Sequence, residues 1–272
     1  MFVGNFWLAG PNEDGIQHTL QDTILTKDFW RKTLSNVNAR IARQLGQFSD
    51  NKLTLTEDIT NTDIVLKLNN SYLGIGDIFM NYGKDFTTQA DIKTRMDKDD
   101  YDYEGKQAIV MELVRPHPDL AVHSLDIVTC RTPDGDVKVV TCLLWADCTT
   151  DSSMSTRAGY SIDVDTETVI SPCKWYSAAF LTMEAPLVGR KVPGIKKACA
   201  SAIAAHKSIP MKWVTVIGWD CMVMPDEDVV FFEGNFAGYR MPRRFFISFS
   251  NFLEFMTNYF WPFDSNHSVQ PA

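Results

Sequence analysis

Three oxygen-bearing side chains close two apolar runs near residue 220, at a spacing that suits a cation site. Asp220 ends the first run, and Glu233 and Asn235 end the second, 13 residues further on. The turn sequence Met224-Pro-Asp-Glu-Asp between the runs predicts a hairpin. Residues two apart on a strand share a face, so Glu233 and Asn235 can point to one site with Asp220 opposite. Such oxygen ligands suit Mg²⁺, which completes its shell with water and substrate phosphates.

The alternative interpretation is a solvated hairpin whose acids only face water. Asp226, Glu227 and Asp228 fit this alternative, because they occupy the turn. Asp220 and Glu233 fit it poorly, because they are embedded in apolar runs where an unpaired charge is costly. On this hairpin alone, both interpretations stay open.

A lysine followed by a loop of small and polar residues is a second candidate. Lys67 ends a short apolar run, and Asn69-Asn-Ser-Tyr-Leu-Gly-Ile-Gly follows it. A lysine supplies a point charge to phosphate oxygens, and Gly74 and Gly76 allow backbone N–H groups to approach them. The pattern differs from a Walker loop because the lysine precedes the glycines. An ordinary hairpin turn is the competing interpretation.

The segment Val110-Met-Glu-Leu-Val-Arg-Pro is a third candidate. A strand that becomes a connector exposes backbone donors and acceptors, with which an adenine edge can pair. A buried strand that simply enters a loop is equally compatible with these residues.

Together, these elements resemble the ATP-grasp superfamily over roughly residues 61–240. The chain looks most like the sugar-transfer-associated branch, whose motif GWD…EGN matches Gly218-Trp-Asp and Glu233-Gly-Asn. The resemblance implies two α+β lobes that clamp ATP, with Mg²⁺ bridging its phosphates. It also implies a ligase that activates a carboxylate as an acyl phosphate for attack by an amine or another nucleophile. A role in glycan or cell-surface assembly is expected by analogy alone.

The resemblance further implies roles for individual residues. Three would hold Mg²⁺, namely Asp220, Glu233 and Asn235. Lys67 would contact the phosphates, and the flexible loop above them would contain Ser71, Gly74 and Gly76. The adenine would lie against the backbone of Glu112, Leu113 and Val114.

Other polar residues are candidates for the substrates. Asp119 follows the adenine segment and is a candidate for the ribose hydroxyls under the resemblance. Arg157 and Arg240 could bind a carboxylate or a phosphate, as could Arg243 and Arg244. With Lys67, we expect Arg157 and Arg240 to act in catalysis, with surface arginines as the alternative.

The chain also departs from the family. Only 66 residues precede Lys67, so we expect a shortened N-terminal domain. An ATP-dependent kinase on the same fold, and a nucleotide-binding or scaffold protein without catalysis, therefore remain alternatives. The carboxylate substrate stays unidentified.

The elements that must position these residues are mostly strands. Apolar or alternating runs predict strands at 63–68, 78–80, 108–114, 125–132, 137–144, 213–219 and 229–232, and residues 161–170 alternate with period two around a further turn. Helical periodicity predicts a helix at 26–45, and Pro193 opens another that runs to about Lys207. Strands in the middle and helices near the ends predict an α+β, two-lobed fold with mostly antiparallel sheets.

We expect four segments along the chain. They are an N-terminal helical segment (1–60), an N-terminal ATP-grasp lobe (61–112), a C-terminal lobe (113–240) and a C-terminal aromatic helix with a tail (241–272). The aromatic stripe of the last segment suits core packing better than a dimer face or a membrane surface.

Composition excludes several classes of protein. The 272 residues carry a net charge of −8, which disfavours nucleic-acid binding. No His/Cys cluster has zinc spacing. The six cysteines lack CxxC spacing, so we expect reduced thiols. Because neither a secretory signal nor an apolar run of 18 residues is present, we expect a cytoplasmic protein.

Overall fold

The computed structural model describes residues 27–68, 77–98, 106–120, 122–132, 134–147, 157–172, 187–211, 214 and 216–235. Within these ranges the chain forms two compact units. The first contains residues 27–115 together with 230–233, and the second contains residues 116–229 with 234–235. The aromatic stripe predicted after residue 241 lies outside the described residues.

The first unit is built on a five-stranded antiparallel sheet in the order β2-β1-β5-β3-β4. Its strands are β1 Gln44–Ser49, β2 Lys52–Leu55, β3 Ile64–Leu68, β4 Ile78–Met80 and β5 Ala108–Glu112. The central strands β3 and β5 are nearly continuous apolar runs, because most of their side chains are buried.

Helix α2 (Gln89–Asp97) belongs to the first unit and buries Ile92 and Met96 in the apolar core of this sheet. A capping box starts the helix: the hydroxyl of Thr88 accepts from Asp91 N, and the Asp91 carboxylate accepts from Thr88 N. Hydrogen bonds from the N–H groups of Thr87 and Thr88 lower the pKa of Asp91 to about 2. The capping box thus fixes the start of this helix.

Helix α1 (Lys27–Ser35) corrects the predicted helix over 26–45. Asn38 adopts φ 55°, and Ala39 N donates to Leu34 O, so the helix stops in a left-handed turn. Leu45, which the helical pattern included, is instead buried in β1. The apolar spacing was a coincidence between one helix face and the start of a strand.

The second unit is built on a six-stranded sheet in the order β11-β10-β6-β7-β8-β9. The pairings from β10 across to β9 are antiparallel. The strands of this sheet are β6 Val122–Arg131, β7 Val137–Asp147, β8 Arg157–Asp163, β9 Thr168–Pro172, β10 Val216–Val223 and β11 Val229–Asn235, and residues 230–233 of β11 are the ones counted with the first unit. A short 3₁₀ helix, η1 (Pro118–Leu120), precedes β6.

Helix α3 (Ile195–Ser208) packs against β6 and β7 of this sheet. It starts two residues after Pro193, where Gly194 serves as the N-cap with φ 78°. At its far end, the buried Arg131 of β6 donates from Nη2 to the carbonyl of His206 at 2.8 Å. A cation therefore satisfies a terminal carbonyl of the helix.

The described thiols of the second unit are buried. Cys130, Cys142, Cys199 and Cys221 are free, as predicted, and Cys148 and Cys173 lie outside the described residues. The Sγ atoms of Cys142 and Cys199 are 3.5 Å apart. The hydrogen bond with Cys199, and then burial, raise the pKa of the Cys142 thiol.

The predicted α+β class with mainly antiparallel sheets is confirmed by these two units. In the part of the chain that the structure describes, no helix is long and apolar enough to span a bilayer.

Candidate active site

Asp220 lies within β10 rather than at its end, which corrects the predicted strand over 213–219, and its side chain is half-buried. Its neighbours Trp219 and Cys221 are fully buried, so the strand alternates between a covered face and the face that carries Asp220. Cys221 Sγ donates to Leu125 O at 3.1 Å, so this thiol packs in the core. The predicted ligand Asp220 is therefore held in place by the packing of the residues beside it.

A second carboxylate, which sequence reasoning missed, stands directly opposite Asp220. Asp126 of β6 is its cross-strand partner and is also half-buried. Trp145 Nε1 donates to Asp126 Oδ2 at 2.6 Å. The sequence signal for Asp126 was an acidic residue within the apolar run of β6. The same feature singled out Asp220.

Glu233 lies on β11, and its carboxylate is held by a lysine. Lys27 Nζ donates to Glu233 Oε2 at 2.5 Å, and the two side chains are 6% and 20% exposed. Lys27 is the first residue of α1 and was not singled out from the sequence. The side chain of the third predicted ligand, Asn235, lies outside what the structure describes.

The donor set of the predicted cation site fits Mg²⁺ by its chemistry. Glu233 offers two carboxylate oxygens of the kind that coordinate Mg²⁺, and one of them, Oε2, accepts from Lys27. Among the described residues, no group of three or more His, Cys, Asp or Glu side chains is arranged to hold a metal. The predicted set has only two such side chains, Asp220 and Glu233, so its role in metal binding stays a prediction.

Lys67 is the second-to-last residue of β3, as the sequence predicts for a phosphate-binding lysine. Its Nζ lies 3.2 Å from Asp77 Oδ2, and the two side chains are 22% and 6% exposed. Asp77 immediately precedes β4, so this ion pair joins the two strands that flank the glycine loop. Ser71, Gly74 and Gly76 lie outside the described residues.

Backbone N–H groups of the predicted adenine segment already donate hydrogen bonds within the first unit. Glu112 N donates to Arg43 O at 2.9 Å, and Leu113 N donates to Asp63 O at 2.8 Å. The Glu112 carboxylate in turn accepts from the backbone N and the Nε of Arg43, at 2.9 and 2.7 Å. The N–H groups of Glu112 and Leu113 are therefore already used. An adenine could bind to the backbone of this segment only through its carbonyl groups or at Val114.

An ion-pair network fixes the end of this segment. Arg115 Nη2 donates to Asp63 Oδ2 at 2.5 Å and to Asn81 Oδ1 at 2.7 Å. Asp63 Oδ1 accepts from Tyr82 N at 2.8 Å. The hydrogen bond from Arg115 is the main reason that the pKa of Asp63 lies below its usual value. The connector after β5 is thus tied to β3 and to the end of β4.

Several predicted site residues lie outside the described part. Asp119 belongs to η1 and Arg157 begins β8, but neither side chain is described. Arg240, Arg243 and Arg244 lie beyond residue 235. Their predicted roles stay predictions.

His206 is fully buried between α3 and the sheet. Its Nε2 lies 2.9 Å from Val214 O, which can only accept, so Nε2 carries the proton. Nδ1 then accepts from Thr129 Oγ1 at 2.9 Å, and Trp219 Nε1 donates to that hydroxyl at 2.9 Å. Burial lowers the pKa of His206 to about 4, so the neutral ring serves packing rather than proton transfer.

No protein-family model and no curated protein matches the chain. Among solved structures, it is similar to the VanG D-Ala:D-Ser ligase of Enterococcus faecalis, with 12% identity and a TM-score of 0.46 over 79% of this chain and 53% of that one. The D-alanine-D-alanine ligase of Coxiella burnetii gives 14% identity and a TM-score of 0.45, over 79% and 48%. The N5-carboxyaminoimidazole synthetase of Staphylococcus aureus, complexed with ADP, gives 7% and 0.49, over 82% and 47%.

The chain spans about half the length of these solved structures. With TM-scores below 0.5, similarity at this level establishes neither the fold nor the activity of the chain.

Proposed function

We propose that this protein is an ATP- and Mg²⁺-dependent ligase of the ATP-grasp type, which activates a carboxylate as an acyl phosphate. One observation carries the proposal: the two half-buried acids of the GWD…EGN motif, Asp220 and Glu233, lie on the neighbouring strands β10 and β11 of one sheet. Carboxylate oxygens on adjacent strands of one sheet suit the coordination of a nucleotide-bound Mg²⁺.

The first unit supports the proposal with a candidate phosphate ligand. Lys67 lies beside the start of the glycine loop, on a strand whose other side chains are buried. Its pairing with Asp77 keeps the ammonium at the base of that loop. A point charge at this position suits the phosphates of a nucleotide.

The proposed reaction requires positioning and charge neutralisation rather than a protein nucleophile. The substrate carboxylate attacks the γ-phosphorus of ATP, giving an acyl phosphate and ADP. An amine then attacks the acyl carbon and releases phosphate. Asp220, Glu233 and Asn235 would hold Mg²⁺, which supplies charge neutralisation at the phosphates.

Calorimetry tests the nucleotide site directly. We expect the wild type to bind ATP only with Mg²⁺ present, and Glu233→Gln to lose this binding. Glu57→Gln is the matched control, because Glu57 forms an exposed ion pair with Arg43 in the same unit. Absence of ATP binding by a folded wild type would overturn the proposal.

Product analysis separates the ligase from the kinase of the same fold. A ligase releases ADP and phosphate only when a carboxylate and an amine are both supplied. A kinase would instead leave a stable phosphorylated product. The sugar-transfer likeness and a role in glycan assembly remain predictions from the motif, and a carboxylate screen that includes sugar acids tests them.

A further inference from the structure

The buried side chain of Lys27 forms an ion pair with Glu233, whose carboxylate the hairpin motif assigns to a metal. Lys27 and Glu233 are 206 residues apart in sequence, and their charged atoms lie 2.5 Å apart. The lysine side chain is 6% exposed and the glutamate side chain 20%. An exposed ion pair contributes little to stability, whereas a shielded pair is costly to break, because the remaining charge is left without a partner.

A divalent cation and the Lys27 ammonium compete for the same carboxylate. Mg²⁺ binds its oxygen ligands at about 2.1 Å, so a metal on Oε2 of Glu233 would lie within roughly 5 Å of Lys27 Nζ. Two cations at that distance repel each other strongly where water screens them poorly. Metal binding therefore has to move the ammonium or proceed at reduced affinity.

We propose that Lys27 is the resident cation of Glu233, and that Lys27 and Mg²⁺ are alternative partners of this carboxylate. The inference rests on the proposed metal role of Glu233. Lys27 is a positioning residue: it orients the carboxylate and compensates its charge before the metal arrives. Free Mg²⁺ then binds weakly, and Mg²⁺ accompanied by nucleotide phosphates binds well, because those phosphates compensate the displaced ammonium.

The reactivity of the Lys27 amine in the wild-type protein tests this exchange without any variant. Acetylation with mass-spectrometric detection should find Lys27 protected in metal-free protein and several-fold more reactive at saturating Mg²⁺. Lys93 is the matched control, because its exposed pair with Asp97 should be modified at one rate in both conditions. Bound metal with unchanged protection of Lys27 would overturn the inference.

A second measurement is the affinity for Mg²⁺ alone, by calorimetry. We expect Lys27→Met to bind Mg²⁺ roughly tenfold more tightly than the wild type, a coupling of ordinary size, and Glu233→Gln to bind none. Equal or weaker binding by folded Lys27→Met, with binding still lost in Glu233→Gln, would refute the inference alone. Absence of Mg²⁺ binding in every protein would refute the proposed metal site and the inference with it. If Lys27→Met does not fold, the acetylation experiment decides.

Discussion

At the scale of single residues, the second unit contains a chain of three buried hydrogen bonds through Trp219, Thr129, His206 and the carbonyl of Val214. Each donor in the chain has one acceptor only when the imidazole is neutral with its proton on Nε2. The network therefore specifies one tautomer as well as one packing arrangement. Buried polar groups of this kind stabilise a fold only when all of them are satisfied.

Stability should depend on pH through His206. Its folded pKa, about 4, lies below the ordinary value, mainly because of burial. The unfolded chain therefore binds the proton first, so this contribution is complete above about pH 6.5 and is lost as the pH falls toward 4. The loss should reach about 3 kcal/mol. Urea unfolding at pH 7 and pH 4 measures it, and His206→Gln should show a smaller loss across this interval. Equal losses would contradict the assignment.

The role of Lys67 can be separated from its structural pairing. Lys67→Met alone leaves Asp77 buried without its partner, so the double variant Lys67→Met/Asp77→Asn removes both charges. We expect the double variant to stay folded and to bind Mg²⁺-ATP at least tenfold more weakly than the wild type. Lys52→Met, on the exposed side of β2, is the control for the loss of one positive charge. Unchanged affinity in the double variant would remove Lys67 from the proposed site.

At the scale of elements, the start of α3 depends on a glycine that has no space for a side chain. Gly194 has φ 78°, and a Cβ there would lie 2.7 Å from Glu227 O. Gly189 has a similar φ of 85° but nothing within 4 Å of the corresponding Cβ. A substitution at Gly189 introduces backbone strain alone, whereas a substitution at Gly194 introduces both backbone strain and steric overlap.

We therefore expect Gly194→Ala to lower the free energy of unfolding by about 3 kcal/mol, and Gly189→Ala by about 1 kcal/mol. Urea denaturation of the two variants beside the wild type measures the difference. Similar losses of unfolding free energy at both glycines would show that the segment around Glu227 moves to accommodate the new methyl group.

The strands from β3 onward were largely predictable from sequence because they are short apolar or alternating runs between turn signals, whereas β1 and β2 were not predicted. The predicted pairs at 125–132 with 137–144, and at 63–68 with 78–80, are the antiparallel pairs of the structure. The extent of α1 was not predictable from periodicity, because Leu45 continued the helical spacing from a strand. The left-handed Asn38 ended the helix, and many asparagines occur where no such turn forms.

The candidate site was only partly predictable. Asp220 and Glu233 stood out because charges within apolar runs need a partner. Their actual neighbours, Asp126 and Lys27, lie 94 and 206 positions away along the chain, so only the folded structure brings them together. Spacing along the sequence identifies candidate residues on one hairpin. Their partners on other strands or on a helix are determined by cross-strand register and helix packing.

At the scale of the whole molecule, binding of Mg²⁺ and ATP together should stabilise the protein by mass action. At a concentration one hundred times Kd, the gain is about 3 kcal/mol. For a chain of this length, that corresponds to a rise in Tm of roughly 6–12 °C. Thermal unfolding with ATP and Mg²⁺, and with ATP and a chelator, measures the shift. The same rise in the presence of the chelator would contradict the metal requirement.

The first unit is not a continuous piece of the chain, because residues 230–233 belong to it together with residues 27–115. The counter-charge of its buried Lys27 is therefore translated more than two hundred residues after Lys27 itself. During synthesis, the five-stranded sheet can pair early, but the amino-terminal helix reaches its final electrostatic environment only after residue 233 has emerged from the ribosome. The Lys27–Glu233 ion pair therefore forms only late in synthesis. A nascent chain stalled before residue 233 has emerged would expose the Lys27 ammonium group, which is buried in the folded protein.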